Sequence, residues 1–298
     1  LGVRITVQGG VGTAGEHDFL LENYNMDAVG WGSPFLLVPE ATATDGATRE
    51  LLAAATQNDL YRSHISPLGI PFNAVKGMSN DYYKALRINK DKAGSSCPKK
   101  LLAMNAEFGG QGICTASRKY QQLKLSSLDK ELTDEDEIKQ MELSRKLLLE
   151  KACLCVGLAN PAYIEKHIEI KGEQQGVVVC PGPNIAYFDK EVSLADMVRH
   201  IYGYHSILSK TQRPHMFIKE LQLTIKCLKE EIDTEIFINA SKIKQWLLYK
   251  ENVLAGIAYY ESLFSDKKYF DNDSGMISEA LCKYKKKVFK ILIPEIFV

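Results

Sequence analysis

The interpretation of the whole chain depends on residues 4–20, Arg4-Ile-Thr-Val-Gln-Gly-Gly-Val-Gly-Thr-Ala-Gly-Glu-His-Asp-Phe-Leu20. An apolar strand at residues 3–7 runs into a glycine-rich turn, and a helix is predicted from about residue 16 to residue 25. Glycines between a strand and a helix let backbone N–H groups approach an anion, because no Cβ stands in the way. The stretch therefore predicts a phosphate-binding turn.

The same order of elements continues beyond this turn. A second strand is predicted at residues 28–31 and a second helix at about 45–56. Alternating strands and helices are typical of α/β proteins, in which the strands form a parallel sheet or a barrel. The fold class predicted for this part of the chain is therefore α/β.

The bulk composition excludes several classes of protein. The chain has 298 residues, 45% of them hydrophobic, and its formal net charge is zero, so no global field favours nucleic acid. No uninterrupted apolar run approaches the length of a membrane span. Seven cysteines without a signal-peptide pattern predict free thiols or metal ligands and a cytoplasmic location. Because the sequence opens on Leu1 in front of an immediate strand, we expect that an N-terminal portion precedes it.

A shift in charge marks a boundary near residue 76. Residues 1–75 contain three Lys or Arg and eight Asp or Glu, whereas residues 76–125 contain ten and three. We predict three regions: a βαβα part at 1–76, an irregular cysteine-containing segment at 77–190 and a helical region at 191–298. Five helices are predicted in the last two regions, at residues 133–152, 193–208, 214–231, 241–264 and 277–292. The first of these would begin with Thr133 as its N-cap.

The glycine turn has two interpretations. Gly10-Val-Gly-Thr-Ala-Gly15 matches the G-x-G-x-x-G pattern of Rossmann-type nucleotide binders. That fold needs an acidic residue at the end of the second strand to bind ribose, and Gly32-Ser33-Pro34 stands there instead. In the alternative, the Gly9-Gly10 turn and the Gly32-Ser33 turn follow neighbouring parallel strands and bind one phosphate together, as the loops after strands seven and eight of a (β/α)8 barrel do.

Residues 9–13, 27–36 and 39–41 together resemble the end of the FMN-dependent barrel of the nitronate monooxygenase family. The resemblance implies that the chain contains strands seven and eight of an FMN-type (β/α)8 barrel as a C-terminal fragment. It also implies an oxidoreductase of the nitronate monooxygenase or enoyl reductase type, acting on a small-molecule or acyl-thioester substrate. The FMN phosphate would be bound by Gly9, Gly10, Val11, Gly32 and Ser33.

The resemblance extends over residues 3–76. Residues 54–59 are similar to the family's Asp-Thr segment, and residues 69–73 are similar to its Gly-x-Pro-x-Arg segment. The chain departs from the family at Ser33, where threonine is usual, and at Asn73, where arginine is expected. The resemblance implies that the family's catalytic histidine would lie outside this chain, so no residue of this chain is predicted to be catalytic.

The cysteines of the middle segment leave three possibilities open. They could be ordinary buried thiols, hold an iron–sulfur cluster or bind zinc, because Cys153-Leu-Cys155 places two sulfurs close together. A metal centre would favour a different class of function, a helical interaction or electron-transfer module without catalysis of its own. The candidate metal ligands are Cys97, Cys114, Cys153, Cys155 and Cys180.

Overall fold

The structure is a computed structural model that describes residues 2–129, 134–170, 173–209, 212–235, 238–265 and 274–294. The protein is mixed α/β and mainly helical, with short strands. In chain order its elements are β1 (Thr6–Gln8), α1 (Ala14–Asn23), β2 (Ala28–Gly30), a 3-10 helix (Ser33–Leu37), α2 (Gly46–Ala54), β3 (Leu60–Ser63), β4 (Phe72–Val75), α3 (Ser79–Ile88), α4 (Arg118–Leu128), α5 (Glu135–Glu150), α6 (Leu154–Gly157), α7 (Asn160–Glu165), a second 3-10 helix (Pro183–Tyr187), α8 (Leu194–Ile201), α9 (Met216–Thr234), α10 (Ala240–Leu263) and α11 (Ser274–Phe289).

The chain divides into two compact units. The first unit contains residues 1–29 and 212–298, and the second contains residues 30–211. The N-terminal glycine turn therefore shares a unit with the C-terminal helices. The predicted region boundaries near residues 76 and 190 both fall inside the second unit.

In the first unit, α9, α10 and α11 pack against one another. Ile218, Leu221, Ile225 and Leu228 are buried along α9 at spacings of three and four residues, which places them on one helical face. Trp246 is almost completely buried on α10. Aromatic rings join α1 to these helices within the unit, as Phe19, Tyr24, Phe217, Tyr260 and Phe264 contact one another mostly edge to face.

The second unit is built around the antiparallel hairpin β3–β4, in which Tyr61 pairs with Ala74 and Arg62 with Asn73. Its main core is apolar and combines residues from the hairpin, from α2 and from the two 3-10 helices. Asp45 begins α2 by accepting a hydrogen bond from the Thr48 N–H, which satisfies one of the free donors of the first turn. The most buried members of this core include Val38, Leu52, Val75, Ile185, Tyr187 and Met197.

The predicted α/β class is confirmed at this level: β1, α1, β2 and α2 follow one another as predicted, and β1 and β2 form a two-stranded sheet. The described residues contain no closed barrel. Membership of a larger barrel therefore stays a prediction.

The helices predicted in the last two regions are present within a few residues of the expected bounds, except that α8 ends at Ile201. Thr133, the predicted N-cap of α5, lies outside the described residues, and Asp134 caps this helix. The middle segment is less irregular than predicted, since it also contains α3, α4, α6 and α7.

Candidate functional site

The first glycine turn connects β1 to α1 and requires glycine at two consecutive positions. Gly9 and Gly10 have φ angles of +105° and +75°, in the left-handed region that side chains rarely adopt. Both residues are exposed, and a Cβ built on Gly9 would meet no atom within 4 Å. Thr13 then caps α1, its hydroxyl accepting a hydrogen bond of 3.2 Å from the Glu16 N–H. The turn therefore presents open backbone to solvent at the N-terminus of a helix.

A buried ion pair supports this turn. The Arg213 guanidinium donates at 2.6 Å to Glu16 Oε1 and at 2.6 Å to the Gly10 carbonyl oxygen. Glu16 also accepts from the Gly12 N–H at 2.9 Å and from the Met216 N–H at 2.7 Å. The side chains of Glu16 and Arg213 are only 4% and 5% exposed. The Gly12 amide is thus bonded to a carboxylate of the protein itself, whose charge Arg213 neutralises.

Val11, the third residue predicted to bind phosphate in this turn, is buried at 3% exposure. Its side chain therefore contributes to the packing of the first unit. The exposed backbone of the turn is that of Gly9 and Gly10. These two glycines carry the candidate anion site in this unit.

The second predicted turn, Gly32-Ser33, is stabilised differently. Ser33 begins the first 3-10 helix, and its Oγ accepts a hydrogen bond of 2.6 Å from the Gly182 N–H. A Cβ on Gly182 would stand 2.5 Å from this oxygen, so the close approach requires glycine. The Ser33 hydroxyl, predicted to bind the phosphate, thus joins two loops of the second unit.

Gly9, Gly10 and Val11 lie in the first unit, and Gly32 and Ser33 lie in the second. Each turn is a separate structural feature of its own unit. The prediction that both turns bind the same phosphate stays a prediction.

The other segments on which the predicted resemblance rests, residues 54–59 and 69–73, lie in and before the β3–β4 hairpin. Asp59 accepts hydrogen bonds from the N–H and the hydroxyl of Thr56, and these bonds lower the pKa of its carboxyl. Gly69 has a φ of +74° in the loop between the two strands. Asn73, where the predicted resemblance leads us to expect an arginine, lies in β4 opposite Arg62.

The structure brings together some of the predicted metal ligands. Cys97 and Cys114 are buried in one small core, and the two thiols lie within hydrogen-bonding reach. Burial raises the pKa of the Cys114 thiol to about 12, and the neighbouring Cys97 and Cys153 thiols act in the same direction. Burial also raises the pKa of Cys153. Burial therefore favours the protonated form of the Cys114 and Cys153 thiols.

The remaining candidates do not complete a site. Cys155 is partly buried and Cys180 is exposed. Within the described ranges, no three His, Cys, Asp or Glu side chains are arranged so that they could hold a metal ion. The iron–sulfur and zinc interpretations gain no support from this arrangement.

Fold and site define a mixed α/β protein with an exposed glycine turn between its first strand and its first helix. The chain matches no protein-family model, no curated protein and no solved structure. Among the helices in the described part of the chain, none combines the length and the apolar character that crossing a bilayer requires.

Proposed function

We propose that the chain is the C-terminal part of an FMN-dependent oxidoreductase of the nitronate monooxygenase-like group, and that Gly9 and Gly10 bind the FMN phosphate. The observation that carries the proposal is the pair of exposed, left-handed glycines between β1 and α1. Such a turn lets backbone N–H groups face an anion at the start of a helix. The resemblance of residues 3–76 to the family supports FMN as the owner of that phosphate.

The charges around the turn are compatible with a bound phosphate. The Glu16 carboxylate would repel it, but Arg213 pairs with this carboxylate at 2.6 Å. The N-terminus of α1 adds the partial positive charge of the helix dipole. The backbone of this turn would bind and position the phosphate end of FMN.

FMN would supply the redox chemistry, and the role of this chain would be to bind and orient the cofactor. Membership of the nitronate monooxygenase-like group would imply a small-molecule or acyl-thioester substrate and a cytoplasmic enzyme. The catalytic base would lie outside this chain, so we assign no catalytic residue here.

The proposal is tested by purifying the protein encoded by the complete reading frame and recording its absorption spectrum after FMN is supplied. We expect flavin absorption bands and release of FMN on denaturation. A colourless protein that retains NAD instead would support the Rossmann interpretation of Gly10–Gly15 and would contradict the proposal.

The turn itself is tested by Gly9→Ala and Gly10→Ala. An added Cβ forces the backbone out of the left-handed region, so we expect each variant to weaken FMN binding by about tenfold or more. Gly69→Ala is the matched control, because Gly69 has nearly the same φ as Gly10 but lies in the β3–β4 loop. Equal FMN affinity in all three variants would contradict the role of the turn.

A further inference from the structure

The first unit contains a cavity of about 510 Å³. Three segments of the unit form it: the first half of α1, the residues that lead into α9, and the start of α11. Its size lies in the range of sites that bind small molecules. Its charged lining residues are Glu16, Asp18, Glu22 and Arg213.

The walls of this cavity are largely apolar. Phe19 comes from α1, Ile218 from α9, and Ile277 from α11, and all three are buried at about 5% exposure. Met276 and Ala280 continue the wall along α11. An alkyl chain or a ring that entered the cavity would leave water for contact with these side chains, which favours binding.

More negatively charged than positively charged side chains line the cavity. Arg213 is its only Lys or Arg lining residue within the described part of the chain, and it already pairs with Glu16 and with the Gly10 carbonyl. Asp18 and Glu22 are exposed and lie four residues apart, on one face of α1. Among the described residues neither of these two carboxylates forms an ion pair or a side-chain hydrogen bond. The cavity therefore combines apolar walls with an excess of negative charge.

We propose that this cavity binds a small organic cation that carries an apolar body, such as an alkylammonium or arylammonium compound. The ammonium group would lie beside Asp18 and Glu22, and the apolar body would contact Phe19, Ile218 and Ile277. An anionic ligand of the same shape would be repelled by the two carboxylates. The proposal goes beyond the flavin site and does not depend on it, because FMN is not part of the binding reaction.

The chemical class is tested by calorimetric titration of the full chain, without FMN, with three compounds of equal chain length below their micelle concentrations. These are n-octylammonium, n-octanol and n-octanoate. We expect octylammonium to bind at least about tenfold more tightly than either of the other two. Equal affinity for octanoate, or no measurable binding of octylammonium, would overturn the proposal.

The site is tested by two variants with matched controls. Asp18→Asn with Glu22→Gln should weaken octylammonium binding by about tenfold, because it removes the attraction to the ammonium group. Asp233→Asn with Glu251→Gln makes the same charge change at exposed positions of the same unit that do not line the cavity, and should leave the affinity unchanged. Equal losses in both double variants would show a general charge effect and would overturn the proposal.

The second variant, Ala280→Phe, fills the cavity, whereas Ala258→Phe adds the same ring at an exposed position of α10. We expect Ala280→Phe alone to abolish octylammonium binding, with thermal unfolding showing that both variants are folded. Retained affinity in folded Ala280→Phe would place the ligand elsewhere. A protein that binds octylammonium but not FMN would contradict the flavin proposal and support the cavity proposal.

Discussion

The two glycine turns of the chain look alike in sequence but are held by different forces. In the first unit, the turn at Gly9 and Gly10 rests on a buried ion pair, with Glu16 and Arg213 at 2.6 Å. In the second unit, the turn at Ser33 is fixed by one neutral hydrogen bond from the Gly182 N–H. The first turn is stabilised by the buried charges of Glu16 and Arg213. The second turn is stabilised by the close contact between Ser33 and Gly182.

The difference shows which atoms of each turn remain available to a ligand. At the first turn the buried charges bond to each other and to backbone groups, and the exposed glycines stay open. At the second turn the Ser33 oxygen already accepts a hydrogen bond from the protein. A phosphate bound at the first turn would therefore contact backbone groups alone.

The largest effect is expected from Glu16→Gln. This change removes the negative partner of a buried guanidinium and leaves the Arg213 charge uncompensated, so we expect the free energy of unfolding to fall by about 3–5 kcal/mol. Glu251→Gln is the same substitution at an exposed position of the same unit and should change stability by less than about 0.5 kcal/mol. Chemical denaturation measures both. A loss below about 1 kcal/mol for Glu16→Gln would show that the ion pair does not stabilise the turn.

A smaller effect is expected at the second turn from Gly182→Ala. The new Cβ would lie 2.5 Å from Ser33 Oγ, so the two loops must separate, at a cost of about 1–3 kcal/mol. In the background of Ser33→Ala, which removes that oxygen, the same change should cost less. A double-mutant cycle measures this coupling, and strictly additive losses would show that the contact does not restrain the turn.

The prediction from sequence succeeded where signals are local. The strand before Gly9, the helix that follows the glycine turn and the five helices of the last two regions are visible within short windows, because periodicity depends on neighbouring residues.

The contacts that stabilise the two turns could not be predicted from short windows of the sequence. Glu16 and Arg213 are 197 residues apart, and Ser33 and Gly182 are 149 apart. Such pairs leave no periodic signal, and in the sequence Glu16 is an ordinary acidic residue in the first turn of a helix. The hairpin β3–β4 was missed as well, because Leu60–Ser63 and Phe72–Val75 are short and do not alternate clearly between apolar and polar residues.

The left-handed backbone of the first turn is expected to make a smaller difference to the free energy of unfolding. Gly10→Ala should cost about 1–2 kcal/mol of stability, because a left-handed φ is unfavourable for a residue with a Cβ. The nearest atom to that Cβ would be 3.9 Å away, so strain of the backbone and not a clash is responsible. Thermal unfolding of Gly10→Ala beside Gly15→Ala, which lies within α1 without a positive φ, measures the difference. A stabilised Gly10→Ala would contradict the left-handed conformation.

The smallest effect at neutral pH concerns the buried thiols of the second unit. Burial raises the pKa of Cys114 from its ordinary value near 9.0 to about 12, so the unfolded chain releases this proton first. The free energy of unfolding should be independent of this thiol below pH 9 and fall between pH 9 and pH 12, by at most about 1.4 kcal/mol per pH unit. Cys114→Ala should reduce this slope, whereas Cys282→Ala, at an exposed position, should not. Identical slopes in the two variants would contradict the burial effect.

The central claim is that the backbone of the first glycine turn binds the phosphate of FMN. It is tested most directly by following the amide resonances of ¹⁵N-glycine-labelled protein, expressed from the complete reading frame, during titration with FMN and with phosphate-free riboflavin. We predict that the Gly9 and Gly10 resonances shift with FMN and stay in place with riboflavin. Binding of FMN without any change in these two resonances would contradict the claim.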